Sequence, residues 1–276
     1  MSRNAKRVTC AAMYMGLIAA AANSASAAMI VTEVDPFGSN TGDGYSADWF
    51  EVTNTGGTAV SIAGWSMVDD HAASNSTTPY AAGTSISIGN LTKGNATFGP
   101  ALLTLAGSSQ SIGAGQSAIF LESSAPAASS GALISSFESA WFGANVPANL
   151  LVGTYNDGTN YGLSQSGDMI NIFNGSSAAS ALIASVVFGN DTGTPVSTFD
   201  NAQGLNNATL TQKSVAGING AFVSATGQEL GSPGTIVSPV PLPGSLGLLL
   251  SGFGAFGMLA FRKRVSPLTA SGYAFG

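Results

Sequence analysis

The chain holds one histidine, His71, and one cysteine, Cys10, so few of its residues can begin covalent chemistry. A Ser-His-Asp triad would have to use His71, which follows Asp69-Asp70 in a stretch that reads as a loop. No G-x-S-x-G elbow is present to hold a nucleophile. The expectation is a solvated histidine beside two turn-favouring aspartates. Paired carboxylates could cleave a glycosidic bond. Asp48 and Glu51, however, stand three residues apart, and on a strand that spacing turns them to opposite faces. No catalytic residue is assigned, and the chain reads as a non-enzyme.

Calcium is the better chemical question. Asp35, Asn40, Asp43 and Asp48 cluster with glycines, and Asp69-Asp70 form a second group. Hard oxygen ligands suit this ion, but the pattern D-x-[DN]-x-[DN]-G is absent. Aspartate and asparagine also favour turns for backbone reasons alone. Calcium therefore stays open as a cofactor, with no ligand set, and no other cofactor is expected. N-x-[ST] triplets occur at Asn75, Asn95, Asn174, Asn190 and Asn207, in a chain so rich in these residues that several arise by chance.

The charges are few and unevenly placed. Only 8% of residues are charged, against roughly 25% in an ordinary soluble domain. Arg3, Lys6 and Arg7 stand at the start, and Arg262, Lys263 and Arg264 near the end. Only Lys93 and Lys213 lie between, among all 14 acids, so the net charge of −6 hides a strongly acidic middle. Such a middle repels phosphates and anionic headgroups, which excludes nucleic acid as a partner through a basic patch, and it would attract divalent cations.

The first residues have the three parts of a secretory signal. Arg3, Lys6 and Arg7 are its basic region, residues 8–22 its apolar region, and Ala25-Ser26-Ala27 a small-x-small site with the cut expected before Ala28. Cys10 lies inside it. The exported chain thus has no thiol, which excludes disulfides, cysteine metal sites and cysteine nucleophiles.

Strands must position whatever the middle carries. MIVTEV (29–34), DWFEVTN (48–54), TAVSI (58–62), GWSMV (64–68), ALLTL (101–105), SAIFL (117–121), DMINIF (168–173) and ALIASVVF (181–188) are short apolar runs between Gly, Asn, Asp and Ser clusters. Phe50 and Val52 share one face of their strand, and Trp49, Glu51 and Thr53 the other. Leu133, Phe137 and Trp141 recur at four-residue spacing and predict one helix over 133–141. The pattern predicts a mainly β chain, an antiparallel β-sandwich in one domain.

Ile30 and Glu33, then Trp49, Glu51 and Asn54, then Ile62, Gly64, Trp65 and Met67 resemble the opening of a lamin-tail domain. SIGAGQSAIFLES (111–123) is similar to a later strand of that family, and Gly231-Ser232-Pro233-Gly234 to its closing Gly-x-Pro-Gly. The resemblance implies an immunoglobulin-like sandwich that binds or scaffolds. The stretch 122–226 is longer than a minimal lamin tail needs and reads as insertions.

The end of the chain is different. Residues 244–261 carry no charge, and as a helix they reach roughly 27 Å, enough for the hydrocarbon core of a bilayer. Arg262, Lys263 and Arg264 follow as a basic stop, which places the acidic domain outside the cytoplasm. With Pro241-Leu242-Pro243 ahead of it, this end resembles a PEP-CTERM sorting signal in its Val-Pro-Leu-Pro form. That resemblance implies an exosortase-type processing enzyme as partner, the inner membrane as temporary anchor, and exopolysaccharide or a surface protein as final company. The expected organisation is signal peptide 1–27, lamin-tail-like domain 28–235, proline-rich spacer and sorting motif 236–243, transmembrane helix with basic end 244–264, and tail 265–276. Two further readings stay open: a permanently anchored adhesin or calcium-dependent module, and a secreted hydrolase of polysaccharide.

Overall fold

Alternating side chains over residues 29–54 form a long antiparallel pair, β1 (Met29–Asp35) and β2 (Trp49–Asn54). The computed structural model describes residues 29–40, 42–69, 80, 86–91, 100–156, 162–191, 193, 196–201, 204–205 and 207–235. All of them fall in one compact unit, Ala25–Pro239. The remaining elements are β3 (Val60–Ser61), β4 (Ser66–Asp69), β5 (Ala101–Leu105), β6 (Ser111–Ile112), β7 (Ser117–Glu122), helix α1 (Gly131–Phe142), β8 (Leu151–Asn156), β9 (Asp168–Phe173) and β10 (Leu182–Phe188). Four short strands follow: β11 (Phe199–Asp200), β12 (Asn207–Leu210), β13 (Phe222–Val223) and β14 (Leu230–Gly231).

Ten strands make one sheet, ordered β11-β1-β2-β7-β8-β5-β4-β9-β10-β12, with β3–β6 and β13–β14 as separate pairs. The mainly β, immunoglobulin-like class expected from the sequence is what the domain has. It is not purely antiparallel: β7–β8 and β10–β12 run parallel. A parallel neighbour needs a crossover, and α1 supplies it between β7 and β8. The inserted stretch is therefore no appendage. It puts β8 into the middle of the sheet, where Gly153 is obligatory because a Cβ there would lie 2.1 Å from the Thr104 carbonyl oxygen.

Two large cores flank the sheet, and Tyr80, Met169 and Val187 form a smaller third cluster. Phe50, Val52, Phe120, Tyr155, Ile170, Ile172 and Val186 point inward to the main one. The opposite faces of β2, β7 and β8 present Trp49, Ile119, Leu121 and Val152, which α1 covers with Ile134, Phe137, Ala140 and Trp141. Trp49 meets Trp141 edge-on, at 5.7 Å and 88°, an arrangement that favours the ring quadrupoles. The predicted helical stripe is there, shifted by one residue: Ile134 is buried where Leu133 is only partly so. Because both faces are covered, every residue of β2 and β7 is buried.

The two sheet edges are closed by one segment. β11 pairs with β1, and β12, six residues further on, pairs with β10. Asn201 fixes the turn between them: its backbone N–H donates to Thr32 O (2.9 Å), and its Nδ2 donates to Val31 O (2.8 Å) and Leu205 O (2.7 Å). Neither long outer strand, β1 or β10, is left unpaired as a template for aggregation.

Among the described residues no helix is long and apolar enough to cross a membrane. The expected signal peptide, spacer, transmembrane helix and tail lie outside the described residues.

Candidate functional site

Carboxylates are the chemistry this domain carries, and they are inside it. Twelve acids are described, and nine of them are buried: Glu33, Asp35, Asp48, Glu51, Asp69, Glu122, Asp168, Asp191 and Glu229. Lys213 is the one cation among the described residues, and it forms an ion pair with Asp191. A buried carboxylate without a counter-charge must be held by hydrogen-bond donors or keep its proton. Both solutions are present.

Glu33 and Glu51 are cross-strand partners on β1 and β2. A β-bulge between Val31 and Glu33 brings them together. Val31 and Val34 both face the main core, and plain alternation would have sent Glu33 there as well. With Thr32 as the extra residue, Glu33 turns to the other face, beside Glu51. Thr32 Oγ donates to Glu51 Oε1 (2.7 Å), and the Ser232 backbone N–H donates to Glu33 Oε1 (2.7 Å). Gly234 N–H donates to Glu51 Oε2 (2.6 Å). Burial, then the charge of Glu51, pushes Glu33 well above the usual carboxylate range. Burial pushes Glu51 up to about 7. The closing motif is thereby explained: a Cβ at Gly231 would lie 2.6 Å from Glu33 Oε1, and Gly234 has φ +71. Pro233, buried between two donors in use, brings no N–H of its own to satisfy.

A second group joins Asp35 and Asp43 to Glu229. Tyr45 donates its hydroxyl to Glu229 Oε1 (2.5 Å), and Phe37 N–H donates to Asp35 Oδ1 (2.9 Å). Burial, then the charge of Asp35, pushes Glu229 up to about 10, so it is a neutral acid at pH 7. Asp35 is pushed up to about 6 by burial. A cleft of about 290 Å³ opens beside this group, lined by Asp43, Gly44, Thr226 and the α1 serines 135, 136 and 139. A second surface cavity, of about 380 Å³, is lined by Gln116, Ser117, Asn149, Leu150 and Gly234 among others.

Asp48, the fourth calcium candidate, is held by backbone donors. Its Oδ1 accepts from Ser39 N–H (3.0 Å) and its Oδ2 from Leu163 N–H (2.8 Å). Glu122 Oε2 accepts from the Asp48 backbone N–H at 3.3 Å. Burial raises both, Asp48 to about 7. Gly162 packs against the two, with its Cβ position 2.5 Å from Asp48 and 2.9 Å from Glu122. As the strand spacing predicts, Asp48 and Glu51 serve opposite faces. Asp35 and Asp43 both act on Glu229, Asp35 also acts on Asp48, and Asn40 is exposed. Among the described residues no three His, Cys, Asp or Glu side chains are arranged to hold a metal ion. Glu229 stands almost two hundred residues from Asp35, and nothing in its own neighbourhood of the sequence announces the meeting.

Of the remaining candidates, His71, Asp70, Asn75 and Asn95 lie outside the described residues, as do Ala25, Ala27, Ala28, Pro241, Leu242, Pro243, Arg262, Lys263 and Arg264. Asn207 spends its side-chain amide on Tyr80 O, and Asn174 Oδ1 accepts from Ala181 N–H (2.9 Å).

The family model of the lamin tail domain matches residues 22–190. The chain belongs to the lamin tail domain family. No curated protein and no solved structure was found to match it. The match stops at residue 190, so the lamin-tail unit of this chain is completed by strands beyond it: β11 and β12 close its edges, and the turn after β14 covers Glu33 and Glu51.

Proposed function

We propose that this lamin-tail protein is exported and non-enzymatic, and that it binds or scaffolds neutral, hydroxyl-rich polymer of the exopolysaccharide class at the cell surface. The observation that carries the proposal is the withdrawal of charge from the surface. Nine of the twelve described acids are interior, and the single described cation is paired. Among the described residues, what faces solvent is largely glycine, alanine, serine, threonine and asparagine, whose hydroxyls, amides and open backbone match sugar hydroxyls by hydrogen bonding and do not select partners by charge. This alters the inference from composition: the middle is acidic in sequence, but nine of its twelve described acids are not displayed.

The N-terminal signal pattern supports export. The order Pro241-Leu242-Pro243, apolar run, Arg262-Lys263-Arg264 supports sorting through a PEP-CTERM-like signal, with release of the domain by an exosortase-type enzyme.

Two measurements test the proposal. Mass analysis of the mature protein is expected to find Ala28 at the start and no Arg262–Arg264 at the end. A retained basic end would make it a permanent membrane anchor instead. Co-sedimentation with exopolysaccharide from the producing cell is expected to be unchanged from low to high salt. Binding that salt abolishes, or no binding at all, would overturn the neutral-polymer reading.

A further inference from the structure

The turn after β14 is attached to the domain in an unusual way. Leu230 is tied to a loop by its backbone, donating to Val196 O (3.0 Å) and accepting from Thr198 N–H (3.0 Å). Beyond Gly231, the hydrogen bonds of the turn to the rest of the domain, among the described residues, all end on two carboxylates. Ser232 gives its N–H to Glu33 Oε1 (2.7 Å) and its hydroxyl to Glu33 Oε2 (3.2 Å), and Gly234 gives its N–H to Glu51 Oε2 (2.6 Å).

We propose that Gly231-Ser232-Pro233-Gly234 is a proton-dependent latch: Glu33 and Glu51 hold the turn closed, and their ionisation releases it. The geometry sets the direction. The two glutamates are direct cross-strand partners on one face, at 1% exposure each, so two charges there would repel across a few ångströms in a medium that screens them poorly. The titratable groups facing the pair are Glu33 from β1, Glu51 from β2 and Asp200 from β11, all acidic. The remaining neighbours are the hydroxyls of Thr32, Thr53, Ser117, Thr198 and Ser232. Lys213 is engaged with Asp191 and the Ser197 carbonyl instead. Lifting the turn hydrates both carboxylates and returns them towards ordinary acidity. The donors of the turn favour the charged form and lower both carboxyls, but burial outweighs them and both are raised in the closed state, so the closed state binds more protons than the open one. Closure is therefore strongest at acidic pH and weakens as pH rises through about 7.

The test is amide hydrogen exchange of the full chain, corrected for intrinsic rates, with Val52 in β2 as the internal reference for global opening. The protection of Gly234 relative to Val52 is expected to fall by up to about a hundredfold per pH unit between roughly pH 5 and pH 7, the slope of two linked protons. Glu51→Gln, which keeps an acceptor but cannot ionise, is expected to flatten that fall, and Glu51→Ala to lower protection at every pH. A wild-type ratio independent of pH would overturn the latch without recourse to any variant. So would a fall that persists undiminished in both Glu33→Gln and Glu51→Gln.

Discussion

Replacing Glu229 by glutamine removes a proton-binding site from the interior and almost nothing else. The carbonyl of the new amide still accepts from Tyr45, and its NH₂ can donate to Asp35 and Asp43, which flank Glu229. In the native chain the side chain is pushed from 4.5 up to about 10. Its folded pKa lies above its unfolded one, so it favours folding fully below the unfolded value, and this contribution is lost as pH rises. Between about pH 5 and pH 8 the folded state keeps the proton and the unfolded state gives it up. That costs about 4 kcal/mol of stability, three pH units at about 1.36 kcal/mol each. The figure does not depend on where above 8 the folded value lies. Urea unfolding read by the fluorescence of buried Trp49 and Trp141, at several pH values in this window, gives the stability directly. Wild type is expected to weaken steadily with rising pH, with Glu33, Asp35, Asp48 and Glu51 adding to the trend. Glu229→Gln is expected to lose one proton's share of the slope, about 1.36 kcal/mol per pH unit, and to be the more stable protein at pH 8. Equal stability of wild type at both ends of the window, or an undiminished slope in the variant, would refute the assignment of a neutral acid in the interior.

Three substitutions probe the framework. Trp141→Ala opens the cover over Trp49 and Phe137 and is expected to cost about 3–5 kcal/mol in the same urea assay. Gly153→Ala places a methyl group against the Thr104 carbonyl; it is expected to lower the melting temperature sharply and to deprotect the β5–β8 amides in hydrogen exchange. Asn201→Ala orphans the buried Val31 carbonyl at about 1–3 kcal/mol, and light scattering on gentle heating is expected to show earlier aggregation as the β1 edge frays.

The parts of the domain that could be read from the sequence are those whose partners are dictated by burial alone. β1, β2, β5, β7, β9 and β10 are apolar runs between turn residues, and they lie within a residue or so of where the pattern puts them. Residues 58–62 yield only the two-residue β3, because the chain there leaves the sheet for a small pair with β6. β8 was not legible. Leu151-Val152-Gly153-Thr154-Tyr155 has a glycine at its centre, and that glycine records a close approach by β5, a neighbour distant in sequence. The two- to four-residue strands carry no period to detect. The carboxylates misled for a related reason. Glu51 alternates onto the face opposite Phe50, a face that usually meets water, but α1 and the closing turn cover that side of the sheet. Whether an acid lies inside or outside was decided by segments about eighty and about one hundred and eighty residues away.

Lys213 lies over the ring of Phe199, 3.7 Å from its centroid, with its amine engaged by Asp191 and the Ser197 carbonyl. Digestive enzymes that cut after lysine or arginine look for such a side chain and need it free to enter a specificity pocket. Across the described part of this domain they find one, already occupied. For the exported protein proposed above, that scarcity would give durability among such enzymes without any added cross-link.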